Sequence, residues 1–142
     1  MESSLDIPAA PDRVMAVIAD LERYPEWVDA LTTVEVLSTG ADDRPETVRM
    51  VLRHRLLSDD YTVGYQWGHD EVSWKLITGR TLTAMDGQYR VEPKGTGSRV
   101  TYTLSVDLSV PLPGLLKRTA EKTIIDTALR GLKTQVGRVG DR

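Results

Sequence analysis

Hydrophobic and polar positions along this chain follow two different rhythms. After Pro11, Val14, Val17, Ile18 and Leu21 recur at i, i+3, i+4 and i+7, the stripe of one apolar helix face. Pro11 suits a first helical turn, and Asp12 complements the positive end of the helix. Pro25 disfavours helix at Tyr24, so a break is expected near Arg23 and Tyr24. A second short helix carrying Trp27, Val28 and Leu31 is predicted beyond it. Leu5 and Ile7 alternate with polar residues ahead of these helices, as in a short first strand.

From Thr33 to Val110 the period is two. Residues 34–37 read as a strand. Val48, Met50, Leu52 and His54 then alternate with Arg49, Val51, Arg53 and Arg55. Tyr61, Val63, Tyr65 and Trp67 follow, then Val72, Trp74 and Leu76, then Met85, Gly87, Tyr89 and Val91. The last set is Val100, Tyr102, Leu104, Val106 and Leu108. Short turn segments such as Gly68-His69-Asp70 and Thr78-Gly79-Arg80 separate the runs, so the sheet is expected to be antiparallel with one apolar face.

After the elbow Val110-Pro111-Leu112-Pro113-Gly114, helical period returns. Leu112, Leu115, Leu116, Ala120, Ile124, Ala128, Leu129, Leu132 and Val136 form its stripe. About 25 residues at 1.5 Å each give a helix of roughly 37 Å, long enough to cross the sheet. The predicted order is strand, two short helices, six strands, one long helix. A seven-stranded antiparallel sheet needs its apolar face covered. One helix covers a central strip, and a curved sheet around it leaves a volume that side chains need not fill. A fully packed α+β sandwich would give the same pattern.

The size fits a single domain over residues 1–142. Cysteine is absent, which excludes disulfides, thiolate catalysis and Cys-ligated metals. The acidic first residues lack an apolar signal core and no run approaches a membrane span, so the chain reads as cytoplasmic. The net charge of −3 divides unevenly: residues 111–142 carry 7 Lys+Arg against 3 Asp+Glu, the rest 11 against 18. That is not the strongly basic domain nucleic acid asks for. The basic segment reads as the solvated face of the long helix, with transient contact to a membrane surface as its functional alternative.

Few residues point to catalysis. Asp42-Asp43 and Asp59-Asp60 are adjacent pairs, whose side chains would diverge on a strand and read as turn residues. Glu121 and Asp126 fall on different helix faces. His54 and His69 lack metal-ligand spacing, and no metal or cofactor is expected. His54 shares parity with Met50 and Leu52 and is the best candidate acid or base. Gly95-Thr96-Gly97 sits between strands, so it is a hairpin turn rather than a phosphate loop. Gly87, on the inner parity, marks either room for a ligand or a bulge. Arg49, Arg53 and Arg55 should face solvent. The aromatics are more informative: the chain has 5 Tyr, 3 Trp and no Phe, and Tyr61, Tyr65, Trp67, Trp74, Tyr89 and Tyr102 share the inner parity. Buried Tyr and Trp need polar partners, which suits an amphipathic ligand, while plain core packing is the simpler account.

The motifs, in order, resemble a known family. Ile7-Pro8-Ala9-Ala10-Pro11 leads to Val14-Met15, and Tyr24-Pro25-Glu26-Trp27 follows. Tyr65-Gln66-Trp67, Ser73-Trp74-Lys75-Leu76 and Gly87-Gln88-Tyr89-Arg90-Val91 come next. Val100-Thr101-Tyr102-Thr103-Leu104-Ser105-Val106-Asp107-Leu108 runs on to Leu115-Leu116-Lys117-Arg118. Together they cover nearly the whole chain, which resembles the START-like (SRPBCC) superfamily. The nearest branch is the polyketide cyclase/dehydrase or coenzyme Q-binding type, as found in actinobacteria. The resemblance implies the α+β helix-grip fold (START-like, Bet v 1-like). It also implies an apolar cavity under the long helix, which relatives use for lipids, quinones or polyketides. It supplies no catalytic residue.

The expected function is binding of a hydrophobic or amphipathic small molecule, as carrier or sensor. Alternatives are a polyketide cyclase or aromatase, and a protein-interaction module like the toxin or chaperone-activator relatives. The expected ligand-binding residues are Trp27, Met50, Leu52, His54, Tyr65, Trp67, Trp74, Met85, Tyr89, Tyr102, Leu116, Ala120 and Ile124. Either a monomer or a homodimer fits the sequence.

Overall fold

The alternation along the middle of the chain resolves into strands that bury every second side chain. A computed structural model, which describes residues 1–55, 58–109 and 113–140, shows them. The elements are β1 (Glu2–Ile7), α1 (Pro11–Ala19), β2 (Leu31–Thr39), β3 (Pro45–Arg53), β4 (Ser58–Trp67), β5 (Glu71–Thr78), β6 (Leu82–Lys94), β7 (Gly97–Leu108) and α2 (Gly114–Gly140). The strands form one antiparallel sheet in the order β1-β7-β6-β5-β4-β3-β2. Five of its pairings are hairpins between chain neighbours. The sixth joins the first and last strands: β1 lies along β7, with Leu5 opposite Val100.

One face of this sheet is apolar. Val48, Met50 and Leu52 on β3, Tyr61, Val63 and Tyr65 on β4, and Val100, Tyr102 and Leu104 on β7 are all buried. The long helix α2 lies across that face and buries Ala120, Ile125, Ala128, Leu129, Leu132 and Val136. Its 27 residues make it about 40 Å long. α1 closes one end of the gap with Val14, Met15, Val17 and Ile18. This is the helix-grip architecture of an α+β protein.

The second short helix is corrected. Leu21–Glu26 is a 3₁₀ turn with Pro25 inside it, Trp27 follows it, and Leu31 already opens β2. Pro25 lies within the turn rather than opening a new helix, and its fixed φ suits the 3₁₀ conformation. The stripe of α2 is also corrected at its start. Leu115 and Leu116 are exposed, because the helix overhangs the sheet there, whereas Ile125 is fully buried. Residues 110–112, most of the predicted elbow, lie outside the described residues. The Gly95 turn joins β6 to β7 with a φ of 59°, a left-handed conformation glycine adopts without strain.

Two buried carboxylates tie elements together, one within the sheet and one between helix and sheet. Asp59 accepts backbone N–H bonds from Arg80, Thr81 and Leu82 at 2.9–3.2 Å, pinning the β5–β6 turn to the start of β4. It is no solubilising turn residue, and its neighbour Asp60 does diverge from it. Asp60 faces outward and pairs with Arg49 at 2.7 and 3.0 Å, which holds its carboxyl below the ordinary value. Glu121 on α2 accepts from Val106 N–H of β7 at 2.9 Å. Its carboxylate satisfies a strand amide beyond the end of β1, where Leu104 N–H bonds the Met1 carbonyl instead.

Candidate functional site

Sheet and helix do not meet everywhere. Between them lies a cavity of about 470 Å³, within the roughly 300–1,000 Å³ typical of small-molecule sites. Its floor comes from the strands: Met50 and Leu52 of β3, Tyr61 and Tyr65 of β4, Trp74 of β5, Met85 and Tyr89 of β6, and Tyr102 and Leu104 of β7. Thr123, Ile124, Thr127 and Ala128 of α2 form the roof. Tyr24, Val28 and Leu31 close one side.

The floor is an aromatic mosaic. Trp74 is in ring contact with Tyr65, Tyr89 and Tyr102 at 5.5–5.7 Å, and Tyr89 with Tyr102 at 4.5 Å. Gly87 makes this possible. It lies opposite Trp74 across the β5–β6 ladder, and a Cβ there would stand 2.1 Å from the indole. The room that Gly87 leaves is thus taken by Trp74, neither by open space nor by a bulge.

Polarity is sparse and placed at two levels. Deep in the cavity are tyrosine hydroxyls. That of Tyr24 donates to the Ile18 carbonyl, and that of Tyr61 to Met50 Sδ at 3.5 Å. Those of Tyr65, Tyr89 and Tyr102 have no hydrogen-bond partner among the described residues, although each side chain is at least nine-tenths buried. They are also not among the polar atoms sealed in by protein, so they border open space. Burial pushes the pKa of all five tyrosines up, which keeps them protonated and able to donate. At one edge are Asp29, Arg53, His54 and Arg55. The Arg53 N–H bond to the Ala30 carbonyl, at 2.7 Å, draws the end of β3 and the entry to β2 together there. His54 is half-buried, with Ser58 Oγ bonded to both its backbone N–H and its carbonyl.

Nine of the residues expected from sequence therefore border one space: Met50, Leu52, His54, Tyr65, Trp74, Met85, Tyr89, Tyr102 and Ile124. Four do not. Trp27 packs on Tyr24 and faces a separate recess with Val17 and Gln135, on another side of α2. Leu116 is exposed on the overhanging turn. Ala120 is buried but does not border the cavity. Trp67 has the inner parity, yet lies at the far end of β4. There its Nε1 donates to the Pro45 carbonyl at 2.6 Å and the Arg44 guanidinium stacks 4.9 Å above its ring. It lines a second, polar recess of about 690 Å³. The sequence reading missed Tyr24, Thr123 and Thr127. The two threonines are four apart on α2, a polar pair at helical spacing beside the stripe, and that was the available signal.

Among the described residues no group of three or more His, Asp or Glu could hold a metal ion, and no helix is long and apolar enough to cross a membrane.

Comparison with known proteins places this geometry. The model of a family described as polyketide cyclase/dehydrase and lipid transport matches residues 1–137. A START superfamily protein from Mycobacterium smegmatis superposes with a TM-score of 0.89 at 19% identity, covering 98% of this chain and 97% of that one. The ZhuI aromatase/cyclase from a Streptomyces species gives 0.83 at 15%, covering 97% and 93%. A STAR-related lipid transfer protein from Xanthomonas axonopodis gives 0.74 at 17%, covering 95% and 84%. These likenesses show the fold. No curated protein matches the chain. The match over almost the full length, together with a helix gripped by a sheet around a hollow, makes this chain a member of the polyketide cyclase/dehydrase and lipid transport family.

Proposed function

We propose that this protein binds a neutral, largely apolar small molecule bearing oxygen acceptors in the cavity beneath α2, as a carrier or sensor. One observation carries the reading: three buried tyrosine hydroxyls, on Tyr65, Tyr89 and Tyr102, border an apolar hollow without a partner among the described residues. A donor left unmatched in such a place costs about 1–3 kcal/mol, and a ligand carbonyl or hydroxyl recovers it. Among the described residues, the charged groups that border the cavity, Asp29, Arg53 and Arg55, lie at its edge, which favours neutral molecules over ions in the interior. The family description and the lipid-transfer neighbour agree with this class of ligand.

The test compares menadione, which carries two carbonyls, with methylnaphthalene, which carries none. Tryptophan fluorescence reports both, since Trp74 borders the cavity. Menadione should bind the wild type, and Tyr89→Phe with Tyr102→Phe should weaken it roughly tenfold. Methylnaphthalene should bind both proteins alike. A protein that takes up neither compound, and that carries no small molecule in native mass spectrometry after gentle purification, would not be a carrier.

A cyclase or aromatase acting on a polyketide-like chain is the second reading. It rests on the same hydroxyls as proton donors and on the ZhuI likeness. Because burial keeps Tyr65 and Tyr89 protonated, proton uptake would fall to His54 or Asp29 at the cavity edge. Turnover of a polyketide analogue that is lost in His54→Ala would favour this reading over simple carriage.

A further inference from the structure

Two hollows in this molecule meet at one residue. The cavity under α2 and the polar recess beside the β2–β3 turn share, among the described residues, a single bordering residue, Tyr65. Its ring is held from both sides. Trp67 lies on the recess side at 5.6 Å and an interplanar angle of 15°, and Trp74 on the cavity side at 5.5 Å. Both neighbours are fixed in turn. Trp67 is tied to the Pro45 carbonyl and capped by Arg44, and Trp74 fills the space left by Gly87.

We infer that Tyr65 is the end wall of the ligand cavity and sets the greatest length of molecule it accepts. The inference rests on the reading that this cavity holds ligand. The space beyond the wall has a different chemistry. Exposed Asp42, Glu46 and His69 border it together with Arg44, so it is polar and wet where the cavity is apolar. Removing the ring therefore does more than enlarge an interior pocket. It joins the apolar chamber to a polar one of about 690 Å³, and the far end of a longer ligand can pass into it. Tyr65→Phe keeps the ring and keeps the wall.

Straight-chain alcohols from hexanol to hexadecanol, competing with anilinonaphthalene sulfonate fluorescence, measure the length directly. In the wild type, affinity should rise about fourfold with each methylene buried and stop rising once the chain meets the wall. Tyr65→Val should move that break to longer alcohols and tighten hexadecanol about tenfold or more, the gain from roughly two methylenes buried in the space of the removed ring. Tyr65→Phe should leave the break in place. A folded Tyr65→Val protein with the wild-type break would overturn the inference. Should that variant not fold by circular dichroism, Trp67→Leu provides the second arm. It removes the support behind the ring and should also lengthen the limit, and an unchanged limit there overturns the inference equally. A wild type from which no alcohol displaces the dye instead defeats the reading of the cavity as a ligand site, a separate result.

Discussion

A single missing side chain organises the cavity floor. Gly87 sits on the buried face of β6, where an alanine methyl would collide with the Trp74 indole at 2.1 Å from Cε2. The Trp74 indole lies over the position opposite it on the ladder, so that position has to be without a side chain. Gly87→Ala should therefore destabilise the protein by about 1–3 kcal/mol, the usual cost of overpacking, read as a lower urea midpoint with an unchanged slope. Adding Trp74→Phe should return part of that loss, because the smaller ring vacates the contested space. Unchanged stability of the single variant would mean that Trp74 has another place to go. Arg49 shows the opposite behaviour at the surface. Its pair with Asp60 is half-buried on the outer face of the sheet, and such surface pairs contribute little.

Elements are tied to one another by carboxylates that look ordinary in sequence. Asp59 gathers three backbone amides 21 to 23 positions away and fixes the β5–β6 turn against β4. Asp59→Ala should cost about 2–4 kcal/mol, since buried amides lose a charged acceptor. Hydrogen exchange at Arg80, Thr81 and Leu82 should speed up more than in the sheet centre. Uniform exchange across the sheet would refute a local pin. Such contacts explain what could be read from the chain and what could not. Met50, Tyr65, Trp74 and Tyr89 were placed on one face because strand side chains alternate whatever packs upon them. The stripe of α2 was legible for the same reason, at its own period. Where the helix leaves the sheet was not, since an overhang depends on how far the sheet extends, and so Leu115 and Leu116 read as core. Trp67 shares the parity of Tyr65 but lies at the far end of its strand, among the polar residues of the second recess. The role of Asp59 was hidden because its partners are local only in three dimensions.

At the scale of the whole molecule, all five tyrosines lie in the interior, and burial raises the pKa of each. A folded-state value above the unfolded one means that the folded chain holds the proton more tightly. The stability from this source is complete below the ordinary tyrosine value of about 10, and it is lost as pH climbs from there toward the raised values. An alkaline titration should show little tyrosinate absorbance near the ordinary value. The signal should then appear in one cooperative step that coincides with loss of circular dichroism. A gradual rise near the ordinary value, with structure intact, would show that the hydroxyls are open to water.

The pairing of β1 with β7 has a consequence for how the molecule comes into being. Glu2 and Thr103 bond across 101 positions of chain, while the other strands join their immediate neighbours. The hairpins can zip early, each closing a short loop, but β1, made before the other six strands of the sheet, has to wait for β7. Until β7 has emerged, that opening segment has no edge to join. The chamber roof, α2, is made later still, so the interior stays unroofed until that helix has followed β7, and a small molecule can be enclosed at that moment rather than admitted afterwards.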